Sequence, residues 1–106
     1  MRAMAVRKSV EDVFVVDGPR DEWLSKVEQA LTTQGFTNVQ TSAALYQADA
    51  SYKKATVWGT LAVTLLPEGE AATRIRATAT ANVDNLFAAF SSPGRKILGR
   101  FKQGLG

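Results

Sequence analysis

The sequence contains no cysteine and no histidine. Without cysteine, the chain has no disulfide, no thiol nucleophile and no thiolate metal ligand. Without histidine, it lacks the usual metal ligand and the usual general base near neutral pH. The carboxylates that remain show neither the arrangement of a hydrolytic pair nor that of an oxygen-rich metal loop. We therefore expect a protein that is not an enzyme and that holds no metal and no cofactor.

The chain also has no long hydrophobic run. A transmembrane helix needs about 18 or more predominantly apolar residues in succession, and the sequence has no such stretch. Residues 1–8 lack the apolar core of a signal peptide. We expect a cytoplasmic protein, and a membrane-associated or envelope location stays open if an anchor was removed.

The net charge is small and positive. The formal charge of +3 and the isoelectric point of about 9.5 favour anionic partners only weakly. A chain of 106 residues, 45% of them apolar, is enough for one modest core. We interpret residues 1–8 as a flexible basic tail and residues 9–106 as a single α+β domain.

The clearest pattern is a β-hairpin over residues 57–81. Two runs of alternating side chains flank a turn, so the odd positions form one face and the even positions the other. The odd face is apolar and is predicted to be buried. Pro67 and Gly69 favour a three-residue loop with a bulge. The predicted register places Leu66 opposite Glu70, Val63 opposite Thr73, and Leu61 opposite Ile75.

Two further elements precede the hairpin. The β-branched and aromatic run at residues 10–16 predicts a strand. Apolar residues at helical spacing predict a helix over residues 19–34, with Pro19 at its first position after a cap at Asp17 or Gly18, and with Gly35 as a left-handed stop. A second strand is expected over residues 36–40.

The stretch from 41 to 56 is the least regular. Tyr46, Ala48, Ala50 and Tyr52 share a face if it is extended, so we predict a strand over 46–52 and a turn at 53–55, with a short helix as the alternative. After the hairpin, a short helix is expected over 86–90. A last helix is expected over 93–103, capped by Ser92 and ended by Gly104.

The resulting order is β-α-β-β-β-β-α. Strands followed by a terminal helix predict an α+β fold in which the helices pack on one face of an antiparallel sheet. The small residues Gly59, Ala77, Ala79 and Ala81 on the inner face would let a helix approach closely. If the strand over 46–52 lies at a sheet edge, it could pair two chains into a homodimer.

Three short motifs carry a resemblance. Gly35-Phe36 ends a helix before a strand, Trp58-Gly59 opens the hairpin, and Thr73-Arg74-Ile75 lies in its return strand. With these features the chain resembles a set of small bacterial domains of unknown function with the order β-α-β-β-β-α, and more distantly the helix-grip folds, which often hold apolar ligands. The resemblance implies a fold and brings no catalytic residues.

Two basic surfaces are candidate binding sites. On the polar sheet face these are Trp58, Thr60, Arg74, Arg76 and Thr78; on the last helix they are Arg95, Lys96, Arg100 and Lys102. The sheet face is either an ordinary solvated surface or a partner surface, with nucleic acid a minor alternative that we do not expect. The helix either meets anionic lipid or docks by its apolar stripe with its charges in solvent. Leu86, Phe87, Phe90 and Trp23 either pack in the core or line a small apolar pocket.

These observations predict a small, non-catalytic binding or interaction module. Its partner would be a protein or an anionic surface, met by the basic sheet face or by the basic C-terminal helix. The alternative is a small carrier that holds a lipid or another apolar ligand between the sheet and the helices.

Overall fold

The computed structural model of the chain describes residues 6–54, 57–83 and 93–105. In chain order the elements are β1 (Val6–Asp17), α1 (Arg20–Thr33), β2 (Thr37–Ser42), β3 (Gln47–Lys54), β4 (Val57–Glu68), β5 (Ala72–Val83) and α2 (Pro93–Leu105). The strands form one antiparallel sheet in the order β1-β5-β4-β3-β2. The predicted α+β class and element order are confirmed. β1 begins at Val6, so the strand includes three residues that we had assigned to the tail.

The β4–β5 hairpin has the predicted faces but a different register. Glu68 lies opposite Ala72, Leu65 opposite Ile75, and Val63 opposite Ala77. The loop has three residues as predicted, 69–71, but it lies two residues further along the chain than expected, and Gly69 takes the left-handed conformation with φ 67°. Pro67 is accepted inside β4 because β3 does not reach it. The first residue of β3, Gln47, lies opposite Thr64, so no residue of β3 pairs with Pro67.

The stretch that the sequence left ambiguous is a central strand. β3 pairs with β2 on one side and with β4 on the other, and Ala48, Ala50 and Tyr52 are buried on its inner face. The strand prediction is therefore confirmed. The predicted turn at 53–55 is wrong at Lys53 and Lys54, which continue β3. The condition for a homodimer through this strand is not met, because β3 is central and the edge strands are β1 and β2.

Helix α1 begins one residue later than predicted. Pro19 is the cap, with φ −75° and ψ 157°, and is not the first helical residue. The chain segment that leads into the helix is held by the Trp23 indole, whose Nε1 donates a hydrogen bond to the Asp17 carbonyl oxygen at 2.6 Å. Gly35, at φ 87°, follows the end of the helix as predicted.

Helix α2 runs past its predicted end. It includes Gly104 and reaches Leu105. A Cβ at Gly104 would lie 2.8 Å from the Ala30 Cβ, so this glycine allows α2 to cross closely over α1 instead of ending the helix. The predicted Ser92 cap and the short helix over 86–90 lie outside the described residues.

The core lies between the sheet and the two helices, which pack on the same face. Its large, fully buried side chains include Leu31 of α1, Leu61 and Leu65 of β4, Ile75 of β5, and Ile97 and Phe101 of α2. Ala77, Ala79 and Ala81 are also fully buried, as a close helix approach requires. A Cβ at Gly94 of α2 would lie 2.8 Å from the Val10 Cγ2. The inner face is thus packed against the helices, and no described helix covers the outer face.

Candidate functional site

The outer face of the sheet carries the five predicted sheet-face residues. Trp58, Thr60, Arg74 and Arg76 are exposed, and Thr78 is half-buried. The alternation of side chains along β4 and β5 therefore assigned this face correctly.

The structure does not bring Trp58 next to the arginines. Arg76 lies opposite Thr64, and Arg74 lies opposite Leu66. Trp58 precedes Thr64 by six residues along β4, which at about 3.3 Å per residue is roughly 20 Å. The prediction that Trp58 clusters with Arg74 and Arg76 is therefore wrong. Assigning residues to one face determines the side of the sheet on which they lie but not their position along the strands.

Arg74 and Arg76 are both ion-paired. The Arg74 Nη2 lies 2.8 Å from the Glu68 Oε2, and the Arg76 Nε lies 3.9 Å from the Glu11 Oε1. All four side chains remain substantially exposed, so these pairs stabilise the fold little. They do balance the positive charge locally, which weakens this face as a site for anionic partners.

Two exposed valines lie beside the arginines. Val13 and Val15 of β1 are 43% and 53% exposed, and they lie opposite Arg76 and Arg74. We call these four residues the valine–arginine patch. These valines were not among the site residues predicted from the sequence, although one signal was present: residues 13–16 are apolar without interruption, so an edge strand must expose some of them.

A second feature of the outer face is an open depression of about 320 Å³ across β2, β3 and β4, which Ala50, Leu61 and Ala62 also line. We call it the polar cleft after its polar side chains. Its polar lining residues are Asn38, Gln40, Asp49, Ser51 and Thr60. Only Thr60 was among the predicted site residues. The others lie on β2 and β3, for which the sequence pattern predicts neither the register nor the β-bulge between Thr37 and Gln40.

The four basic residues of α2 do not form one free basic surface. Arg95 and Lys96 are exposed. The Arg100 Nε instead donates to the Tyr52 hydroxyl at 3.4 Å, and the Lys102 Nζ lies 2.7 Å from the Asp12 Oδ2. Half of the predicted basic helix face therefore holds α2 to the sheet, as the docked-helix alternative implies.

The ion pair with Lys102 lowers the pKa of Asp12. The Lys102 ammonium group donates a hydrogen bond to the Asp12 carboxylate, which lowers the pKa of that carboxyl, and the charge of Arg95 adds to this effect. Since the folded pKa lies below the unfolded one, the pair stabilises the fold above pH about 3.9 and its contribution is lost as the pH falls through the folded pKa.

We therefore expect Lys102→Met to lower the free energy of unfolding at neutral pH by about 0.5 kcal/mol, since Lys102 is about half exposed and solvent screens the pair. Urea denaturation at neutral pH and below pH about 3 measures the difference from wild type, which should shrink at the acidic value. Lys96→Met, on an exposed position of the same helix, should show no such pH dependence. A difference that grows on acidification would contradict the assignment.

The predicted apolar pocket is tested only at Trp23. This side chain is half-buried, packs against the core from the start of α1 and carries the Lys26 ammonium 4.4 Å from its ring centre. Leu86, Phe87 and Phe90 lie outside the described residues. The close approach of Gly94 to Val10 leaves no room for a ligand at that point between α2 and β1.

The comparisons with known proteins bear on the fold. No protein-family model matches the chain, and no curated protein sequence matches it. Solved structures of norcoclaurine synthase from Thalictrum flavum match the fold of the chain. The truncated synthase superposes with a TM-score of 0.68 at 9% identity, over 99% of this chain and 94% of that one. A point mutant in complex with a transition state analogue gives 0.70 at 9% identity, over 98% and 94%.

A third structure holds dopamine and hydroxybenzaldehyde. It superposes with a TM-score of 0.66 at 10% identity, over 95% of this chain and 85% of that one. At such identities the likeness shows the fold alone. It agrees with the helix-grip part of the sequence resemblance, while the relation to small bacterial domains stays a prediction.

One expectation from the sequence is overturned by this likeness. The missing histidine and cysteine predict a protein that is not an enzyme, and the likeness to a synthase contradicts that prediction. The same fold, over nearly the whole chain, is that of a synthase. The absence of two residue types therefore does not exclude catalysis, and the fold by itself assigns no reaction.

Proposed function

We propose that the chain is a small interaction domain that binds an extended segment of a partner protein along the edge of β1 with which no other described strand pairs. The strand lies at the end of the sheet and is 12 residues long. Its pairing with β5 runs without a register shift from Val6 opposite Val83 to Asp17 opposite Ala72. A regular edge strand presents a row of backbone donors and acceptors to which another strand can add.

The valine–arginine patch supports a protein as the occupant. Natural edge strands are commonly blocked by Pro, by bulges or by charged side chains. Residues 9–17 of β1 contain no Pro and no bulge, and the charges of Glu11 and Asp12 are paired with those of Arg76 and Lys102. Val13 and Val15 instead present exposed apolar side chains next to the edge. Because Arg74 and Arg76 are balanced by carboxylates, the patch favours an apolar protein segment over a polyanion.

The double variant Val13→Lys with Val15→Lys tests this proposal. Extended peptides are first selected from a displayed peptide library on the wild-type domain. We expect the selected peptides to slow amide hydrogen exchange in β1, and we expect the double variant to weaken their binding about tenfold or more, since each valine loses its apolar contact.

The matched control is Thr37→Lys with Thr41→Lys, which adds the same charges to exposed positions of the other edge strand, β2. It should leave peptide binding unchanged. Peptides that protect a different surface, or that bind the valine variant as tightly as wild type, would overturn the proposal. Self-association that the valine variant abolishes would also overturn it, in favour of a homodimer through β1.

A further inference from the structure

A row of hydroxyl-bearing side chains crosses the outer face of the sheet. The paired positions run through all five strands as Ser9, Thr80, Thr60, Ser51 and Thr37. Ser9 and Thr80 are in contact, with 2.9 Å between their hydroxyl oxygens. Neighbouring strands lie about 4.8 Å apart, so the β4-to-β2 part of this row spans about 10 Å along the polar cleft.

A β-bulge directs one more polar side chain into the cleft. Between the Thr37–Ser51 and Gln40–Asp49 pairs, two residues of β2 face one residue of β3. Asn38, the first of the two, has a left-handed φ of 52°, a conformation that Asn tolerates better than most residues. Bulges often re-aim side chains beside functional sites. Here Asn38 lines the cleft while Val39 packs against the core.

The chemistry of the lining argues against anionic ligands and metal ions. Asp49 disfavours anionic ligands, and within the described residues no group of three or more acidic side chains could hold a metal ion. The carboxylate only accepts hydrogen bonds, whereas the amides of Asn38 and Gln40 and the hydroxyls of the row both donate and accept. Such a set matches a neutral ligand that has many hydroxyl groups.

Trp58 supplies an apolar surface next to this polar lining. It lies on the same face of β4 as Thr60, two residues away, which is about 7 Å. Its side chain is 36% exposed. Polar groups that orient a ligand beside an aromatic ring are typical of small-molecule sites. A sugar ring fits both parts, since its C–H groups pack on an indole while its hydroxyls bond to amides and carboxylates.

We propose that the polar cleft binds a neutral oligosaccharide, with one sugar ring on Trp58 and the hydroxyls of the next sugars on Asn38, Gln40 and Asp49. This site lies on the opposite half of the outer face from the valine–arginine patch. It goes beyond protein binding at the β1 edge and does not depend on it.

The test is a titration of the isotope-labelled chain, followed by NMR, with maltohexaose, cellohexaose and chitohexaose in turn. The two indole N–H signals report separately. We expect at least one of these probes, at millimolar concentration, to move the signal of Trp58 and the side-chain amide signals of Asn38 and Gln40. The Trp23 signal should stay in place, because that indole is bonded to the Asp17 carbonyl oxygen away from the cleft.

Two glutamines on the outer face provide a matched pair of variants. Gln40 lines the cleft, whereas Gln47, also exposed, does not. Gln40→Ala should weaken binding about tenfold, as should Trp58→Ala, and Gln47→Ala should leave it unchanged. Circular dichroism confirms that each variant is folded.

Three results would overturn the proposal. None of the three neutral oligosaccharides moves the Trp58 signal, or Gln47→Ala weakens binding as much as Gln40→Ala, or a heparin hexasaccharide binds more tightly than the neutral probes. The last result would show that the basic residues of the chain hold the ligand and that the cleft does not.

Discussion

Phe101→Ala is expected to lower the free energy of unfolding by about 3–5 kcal/mol. The Phe101 ring is fully buried on α2, with Ile97 and Leu98 on the same helix face. Removing it loses the transfer free energy of the ring and leaves a cavity between α2 and the sheet. Because small domains are stable by only about 5–15 kcal/mol, this one change should remove a large part of the stability.

Urea denaturation followed by circular dichroism measures the effect as a shift in the midpoint. The control is Leu45→Ala, at a position that is 65% exposed in the turn between β2 and β3. We expect the control to change stability by about 0.5 kcal/mol or less. Equal losses in the two variants would mean that α2 does not close the core over the inner face of the sheet.

The sequence predicted the class, the element order and the faces because each depends on local periodicity. Alternation over residues 57–81 identified the inward positions of β4 and β5, and nearly all of them are buried. The hairpin register needed more than periodicity. A shift of two residues on each strand keeps every side chain on its own face, so the pattern did not distinguish a loop at Pro67 from a loop at Gly69. The observed register places Pro67 inside β4, where β3 does not pair with it. Where β3 stops is a tertiary feature that local periodicity does not show.

The candidate sites were harder to predict for the same reason. Arg74, Arg76 and Trp58 were placed on the correct face, but their separation along the strands follows from the register. The polar cleft depends on the bulge at Asn38, which no spacing rule marks. Val13 and Val15 are exposed because β1 is an edge strand, and strand order is a long-range property of the fold. Composition gave the weakest inference, since the missing histidine and cysteine did not exclude an enzyme fold.

The second large effect is expected for Gly59→Ala, in the Trp58-Gly59 pair that opens the hairpin. Gly59 is buried and lies opposite Ala81. A Cβ there would lie 2.8 Å from the Ala81 Cα and closer still to the Thr80 carbonyl oxygen. Both atoms belong to the backbone of β5, so no side chain can move aside. We expect a loss of about 3 kcal/mol, at the upper end of the usual cost of overpacking.

Gly99→Ala is the matched control, because a Cβ at that exposed position of α2 meets nothing within 4 Å. It should raise the free energy of unfolding by about 0.5–1 kcal/mol, since alanine favours a helix interior over glycine. The same urea measurement compares both variants. Unchanged stability in Gly59→Ala would show that β4 and β5 are further apart than the structure places them.

The same pair of variants connects the packing to the binding surface. Trp58 is joined to Gly59 in the chain, so a strand that shifts to admit a Cβ at Gly59 must carry the indole with it. The indole N–H signal of Trp58 should therefore move in Gly59→Ala and stay unchanged in Gly99→Ala. If binding of a neutral oligosaccharide is detected in the wild-type chain, it should weaken in Gly59→Ala even though no cleft side chain has been altered. The glycine that lets two strands approach would then also fix the position of the aromatic ring beside the cleft.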